Sequence, residues 1–212
     1  MQKGKFITFE GLDGSGKSTQ LDLTKNWLRD KGFSVLISRE PGGTKIGDEI
    51  RNILLNPIHK NLNPKSELLL YLADRMQNLS ESVIPAKSQG KIVLCDRSHD
   101  STIAYQGYGR GLNLDVFATF FSQFVKPHRP DFTILLNISP ETVFKRLKER
   151  KDKLKSDRLD LESLRFFERV SRGFEDIASL EKERIICING EQKKENIHKE
   201  IVEVLKQKLE MN

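Results

Sequence analysis

The stretch Gly11-Leu12-Asp13-Gly14-Ser15-Gly16-Lys17-Ser18 constrains this chain more than any other. It has the pattern G-x-x-x-x-G-K-S, in which glycines let the backbone wrap so that its N–H groups converge on a phosphate. Lys17 then reaches the outer phosphates, Ser18 offers a hydroxyl to Mg²⁺, and Thr19 continues the turn. Such a cradle needs a strand before it and a helix after it, because the helix N-terminus adds its partial positive charge at the same anion. Both neighbours are present. An apolar run over 6–10 precedes the loop, and a helical pattern over 17–31 follows it, closed by Gly32.

Four further apolar runs read as strands: 33–38, 92–96, 132–138 and 184–188. They are short, rich in Ile, Val, Leu, Phe and Thr, and not strictly alternating, as strands covered on both faces are. Helical patterns separate them at 65–87, from 114 to before Pro127, over 141–150 after Pro140, at 160–180 and at 194–209. The alternation predicts an α/β fold, a three-layer arrangement with a five-stranded parallel sheet and helices on both faces. A chain of 212 residues suits one domain over 1–212. No apolar run reaches the ~18–20 residues of a membrane span, and no signal segment leads the chain, so a cytoplasmic protein without a membrane partner is expected. Cys95 and Cys187 lie in apolar runs without metal-ligand spacing and read as buried thiols.

The net charge of +6 is local. Between residues 145 and 158 eight basic side chains face only Glu149, Asp152 and Asp157. So narrow a window suits a compact anion better than a long phosphate track, and no nucleic-acid partner is expected. There is no Asn/Thr-Lys-x-Asp element of guanine readers after a strand. The third strand ends Asp96-Arg97, which offers a carboxylate for Mg²⁺ and a cation where a second phosphate would sit. Transfer to a phosphate fits that pair better than transfer to water.

Longer segments carry a resemblance. Phe9-Glu10-Gly11 runs into the phosphate loop. Ser38-Arg39-Glu40-Pro41-Gly42-Gly43, Leu69-Leu70-Tyr71-Leu72-Ala73-Asp74-Arg75, Asp96-Arg97-Ser98, Ser101 to Gly111 and Asp157-Arg158 follow in order. Together they resemble the thymidylate kinase family in its bacterial-type form, across almost the whole chain. The resemblance implies transfer of the γ-phosphoryl of ATP to dTMP, giving dTDP in dTTP biosynthesis, with Mg²⁺ as cofactor. It implies that Asp13 meets the sugar 3′-OH and that Tyr71 lies against the thymine ring. Arg75 would donate to O4, Thr102 and Gln106 would contact the pyrimidine edge, and Tyr105 would pack at the 2′ position. Arg51 and Arg97 would hold the acceptor phosphate, and Ser18 and Asp96 would hold Mg²⁺. The basic window maps to a lid at about 145–160. Because Gly14 and Ser15 leave no arginine inside the loop, Arg150 and Arg158 are its implied catalytic cations beside Lys17 and Arg97, with Arg146 near the adenine. A homodimer is also implied, with apolar residues at 68–72 and 117–124 as compatible surface. Ser98 and Asp74 depart from the family pattern, and His99 reads as a neutral loop residue.

Overall fold

A strand with apolar side chains on both faces has to be covered twice. In β1 (Lys5–Glu10), Ile7 and Phe9 point into one apolar layer and Phe6 into another. In β3 (Ile92–Asp96), Ile92 and Leu94 join the first layer, Val93 and Cys95 the second. The computed structural model describes residues 4–113, 115–149 and 157–211. Among these, β2 (Val35–Arg39), β4 (Phe132–Asn137) and β5 (Ile185–Asn189) complete a parallel sheet in the order β2-β3-β1-β4-β5.

One face is covered by α1 (Lys17–Asp30), through Leu21 and Leu28, and by α9 (Lys194–Lys208), through Ile197, Ile201 and Leu205. The other face carries three groups of helices. The first is α3 (Pro64–Asn78), which passes through a widened turn, Leu79–Val83, into α4 (Ile84–Ser88). The second is α5 (His99–Thr102), continued by a widened segment Ile103–Gly109. The third is α8 (Leu164–Leu180), whose Phe166, Phe167, Val170 and Phe174 fill the layer. Beyond them lie α2 (Lys45–Leu55), α6 (Asp115–Phe120) and α7 (Pro140–Glu149).

The expected elements are present with shifted ends, and α2 and α5 with its widened continuation are additions. The helix expected over 65–87 is not uniform. Its turns widen before Pro85, where the missing N–H of proline cannot continue a regular ladder. Its α6 counterpart widens likewise over Phe121–Val125, and Leu114 lies outside the described residues. The helix expected from 160 begins at Leu164, where the Ser163 hydroxyl caps the Phe166 N–H. α2 had no sequence expectation.

Two burial expectations are corrected. Cys95 is buried, but Cys187 is exposed because β5 is an edge strand. Leu68 and Leu72 are buried against Leu112 and Phe120, so of those leucines only Leu69 is left well exposed. Phe124 is exposed, and the side chain of Phe117 falls outside the described residues. No helix among the described residues is long and apolar enough to cross a membrane.

Candidate active site

The cleft opens where β1 and β3 end, at the carboxyl edge of the sheet where α/β folds place ligands. Their register sets Phe9 opposite Asp96, so the loop leaving β1 starts beside the end of β3. Gly11 makes the first bend at φ +134°, and a Cβ there would lie 2.5 Å from the Leu136 carbonyl oxygen. Only glycine fits that combination. Leu12 anchors the loop in the core, and the Ser15 N–H closes a turn onto the Leu12 carbonyl. Ser15 is buried, and its Oγ has no partner among the described residues. Gly16 precedes α1, so Lys17, Ser18 and Thr19 form its first turn. Lys17 Nζ donates to the Gly11 and Leu12 carbonyls at 3.1 and 2.9 Å. An ammonium has three donors, so one remains for a ligand. Burial and the neighbouring Arg97 lower the Lys17 pKa, and an adjacent anion would favour its charged form again.

Arg97 is the hub of the opposite wall. Its backbone sits at φ +73°, a conformation that costs a non-glycine residue of order 1–3 kcal/mol. Glu10 holds it there: its carboxylate accepts from the Ser98 N–H at 2.7 Å and from the Ser101 hydroxyl at 2.5 Å. Burial, and then the nearby Asp100, push the Glu10 pKa up to about 7. Arg97 in turn donates to Asp13 at 2.6 Å, the Gly11 carbonyl at 3.0 Å, Ser101 Oγ at 2.9 Å and the Tyr105 hydroxyl at 3.2 Å. Tyr105 donates to the second Asp13 oxygen at 3.0 Å. Burial opposes the Asp13 charge, but Arg97 and Lys17 outweigh it and hold its pKa at about 2. Asp13 therefore orients an arginine and a tyrosine, and its remaining lone pairs face the cleft.

The cleft has a volume of about 700 Å³. Along with Asp13, Gly14, Gly16, Lys17, Ser18 and Thr19, it is lined by Arg51, Tyr71, Arg75, Arg97, Tyr105 and Gln106. Asp96, Thr102 and Arg146 line it too. Arg51 rises from α2, with Nη1 donating to the Pro41 carbonyl at 2.8 Å. Tyr71 and Arg75, four residues apart, share one buried face of α3. Arg75 Nε donates to Glu40 at 2.8 Å, which fixes the guanidinium plane while its other nitrogens remain as donors. Thr102 Oγ1 is buried and has no partner among the described residues. Ser18 Oγ donates to Asp96 Oδ2 at 3.0 Å, and Asp96 Oδ1 is buried with no partner among the described residues. A hydroxyl beside a half-used carboxylate is an oxygen donor set that fits Mg²⁺. Arg146 reaches back from α7 to the Gly14 carbonyl at 2.8 Å.

Two expectations fare differently. Arg150 lies outside the described residues. Arg158 does not line the cleft in this structure. Its guanidinium is buried, with Nη2 on Glu67 at 2.6 Å and Nε on the Leu54 carbonyl at 2.9 Å. An arginine so engaged ties the end of the basic segment to α2 and α3 and does not face the transferring group. His99 is buried, and burial pushes its pKa down to about 4, so it is neutral.

The sequence reading missed Glu10, Glu67 and Asp157. Asp157 lines the cleft and caps the turn after the basic segment, accepting from the Leu159 and Asp160 N–H groups. Glu67 had a signal: it lies four residues before Tyr71, on the face that Tyr71 and Arg75 share. Glu10 had one as well, as a carboxylate placed immediately before the phosphate loop.

Comparison with known proteins agrees with this geometry. A family model described as thymidylate kinase matches residues 9–201. A thymidylate kinase of Geobacillus sp. (strain WCH70) is 45% identical over 188 residues, 89% of each chain. One from Carboxydothermus hydrogenoformans is 44% identical over 199 residues, 94% of this chain and 95% of the relative. The crystal structure of the thymidylate kinase from Ehrlichia chaffeensis superposes with a TM-score of 0.76 at 33% identity, covering 96% of this chain and 98% of that one. A phosphate loop facing a tyrosine–arginine slot across one cleft, on a chain matched along nearly its full length, leaves one assignment: the chain belongs to the thymidylate kinase family.

Proposed function

We propose that this chain transfers the γ-phosphoryl group of ATP to dTMP, giving ADP and dTDP. The observation that carries the reading is the meeting in one cleft of the Lys17 phosphate loop and the Tyr71–Arg75–Gln106 slot. An oxygen of the dTMP phosphate attacks the γ-phosphorus, and the bond to the β-phosphate oxygen breaks. The attacking group is already an anion, so no general base is required, and the protein's task is positioning and charge stabilisation. Lys17 and the loop N–H groups hold the donor phosphates. Arg97 and Arg51 hold the acceptor phosphate with forked donors, which fit a phosphate better than lysine does. Asp13 accepts from the sugar 3′-OH and Tyr105 crowds the 2′ position. Tyr71 stacks on the base, and Arg75 donates to O4.

Ser18 and Asp96 would hold Mg²⁺, supported by the unpartnered Asp96 oxygen. Bound with the triphosphate, such an ion would supply neutralisation of phosphate charge. Arg146, at the loop, is the described arginine best placed to add charge at the donor, and Arg150 is its candidate partner from the lid. Residues 1–212 act as one cytoplasmic kinase domain. Two copies pair through the adjoining α2 and α3, where Ile46, Ile53 and Leu69 are 55%, 43% and 65% exposed. The test is turnover with ATP and Mg²⁺ on dTMP, dUMP, UMP and CMP. The expected order puts dTMP first and CMP last. Preference for CMP would refute the base reading.

A further inference from the structure

Gln106 lies on the widened segment Ile103–Gly109 and lines the cleft. Its Nε2 donates to Glu67 Oε1 at 2.8 Å. Glu67 does not line the cleft. It is a wholly buried carboxylate on α3, at 0% exposure. Arg110 Nε also reaches Oε1, at 3.2 Å, and Arg158 Nη2 takes Oε2 at 2.6 Å. Burial alone would push the Glu67 pKa up. The Gln106 hydrogen bond and the charges of Arg110 and Arg158 outweigh burial and hold it below the usual carboxylate range. Glu67 is therefore ionised.

An ionised carboxylate accepts hydrogen bonds and donates none. The two ends of a glutamine amide have nearly the same shape, so what surrounds them decides which way the group points. Facing Glu67, the Gln106 NH₂ must turn inward, and its carbonyl oxygen is the atom left for the cleft. Beside it, Arg75 is fixed through Nε to Glu40 and offers donors.

We propose that Glu67 is a specificity-positioning residue: by locking the Gln106 amide, it makes the cleft present an acceptor next to the Arg75 donors. That pair complements the N3–H and O4 of thymine. Cytosine has a bare N3 and an amino group at those places, so it would set acceptor against acceptor and donor against donor. Each mispaired buried group lowers affinity about tenfold. Arg158 links the same carboxylate to the end of the basic segment, so base selection and lid anchoring share one buried group.

The inference rests on the thymidylate reading, and the experiment separates the two. The kcat/KM for dTMP and dCMP is measured with ATP and Mg²⁺ for wild type, Glu67→Gln, Gln106→Met and the double variant. A neutral amide at 67 can donate as well as accept, which frees Gln106 to turn over. The dTMP-over-dCMP ratio is expected to fall about tenfold or more in Glu67→Gln. It should fall similarly in Gln106→Met, with the double variant no lower than Gln106→Met alone, because Glu67 acts through Gln106. An unchanged ratio in Glu67→Gln, with wild-type discrimination intact, overturns the inference and spares the thymidylate reading. A wild type without preference for dTMP overturns both. If Glu67→Gln does not fold, Gln106→Met decides, and an unchanged ratio there overturns the proposal.

Discussion

A lysine ammonium held by two carbonyls of its own loop is positioned before any ligand arrives, and this is where Lys17 stands. Removing a preorganised cation from a transferring phosphate costs about 10²–10³ in rate. Lys17→Ala should lose at least that much turnover while its circular dichroism and unfolding midpoint stay near wild type. Asp74 makes a separate prediction. Its Oδ1 accepts from the Gly42 N–H at 2.8 Å, its Oδ2 is buried without a partner among the described residues, and burial followed by Glu40 pushes its pKa up to about 7. A folded pKa above the unfolded one means that the neutral acid suits the fold. Its stabilising contribution is complete below pH 4 and is lost as pH rises toward 7. Asp74→Asn keeps the acceptor and removes the titration. In denaturant unfolding, the variant should gain on wild type between pH 4 and pH 7, and parallel pH curves would contradict the assignment. At this scale, residue types with strong chemistry were legible. Lys17, Asp96, Arg97, Tyr71 and Arg75 all line the cleft their motifs suggested. Partnership was not legible. Arg158 looked like a free cation in a basic run, and only the three-dimensional approach of Glu67 shows it engaged.

Between elements, α8 packs closely on the widened segment Ile103–Gly109, which carries Tyr105 and Gln106. A Cβ on Gly173 of α8 would lie 2.8 Å from the Tyr108 ring and 3.0 Å from the Ala104 Cα. Gly173→Ala gains about 0.5–1 kcal/mol of helix propensity. Overpacking against backbone costs about 1–3 kcal/mol and should win. The variant is predicted to be less stable by about 1 kcal/mol or more in urea unfolding, and a stabilised variant would contradict this packing. The strands were readable because their both-sided apolar pattern is local information. α2 was readable too, had its cap been weighed. The Thr44 side chain accepts from the Gly47 N–H, and Asp48 follows in the first turn. The widened turns were not, because they depend on how Pro85 and the packing of α8 constrain helices that look ordinary as strings.

For the whole molecule, strand order follows from strand–helix alternation only in part. Alternation predicts a parallel sheet, while the order β2-β3-β1-β4-β5 is set by tertiary pairing. That order places β1 between β3 and β4, so the Lys17 loop leaving β1 and the Asp96-Arg97 end of β3 meet at one edge. The account stands on both nucleotides sharing that edge. Calorimetric titration of the folded protein, with dTMP and with a non-hydrolysable ATP analogue plus Mg²⁺, tests this most directly. The account predicts one dTMP and one analogue per chain, each still binding when the other is present. Folded protein that takes up neither, or that releases one when the other binds, would contradict it.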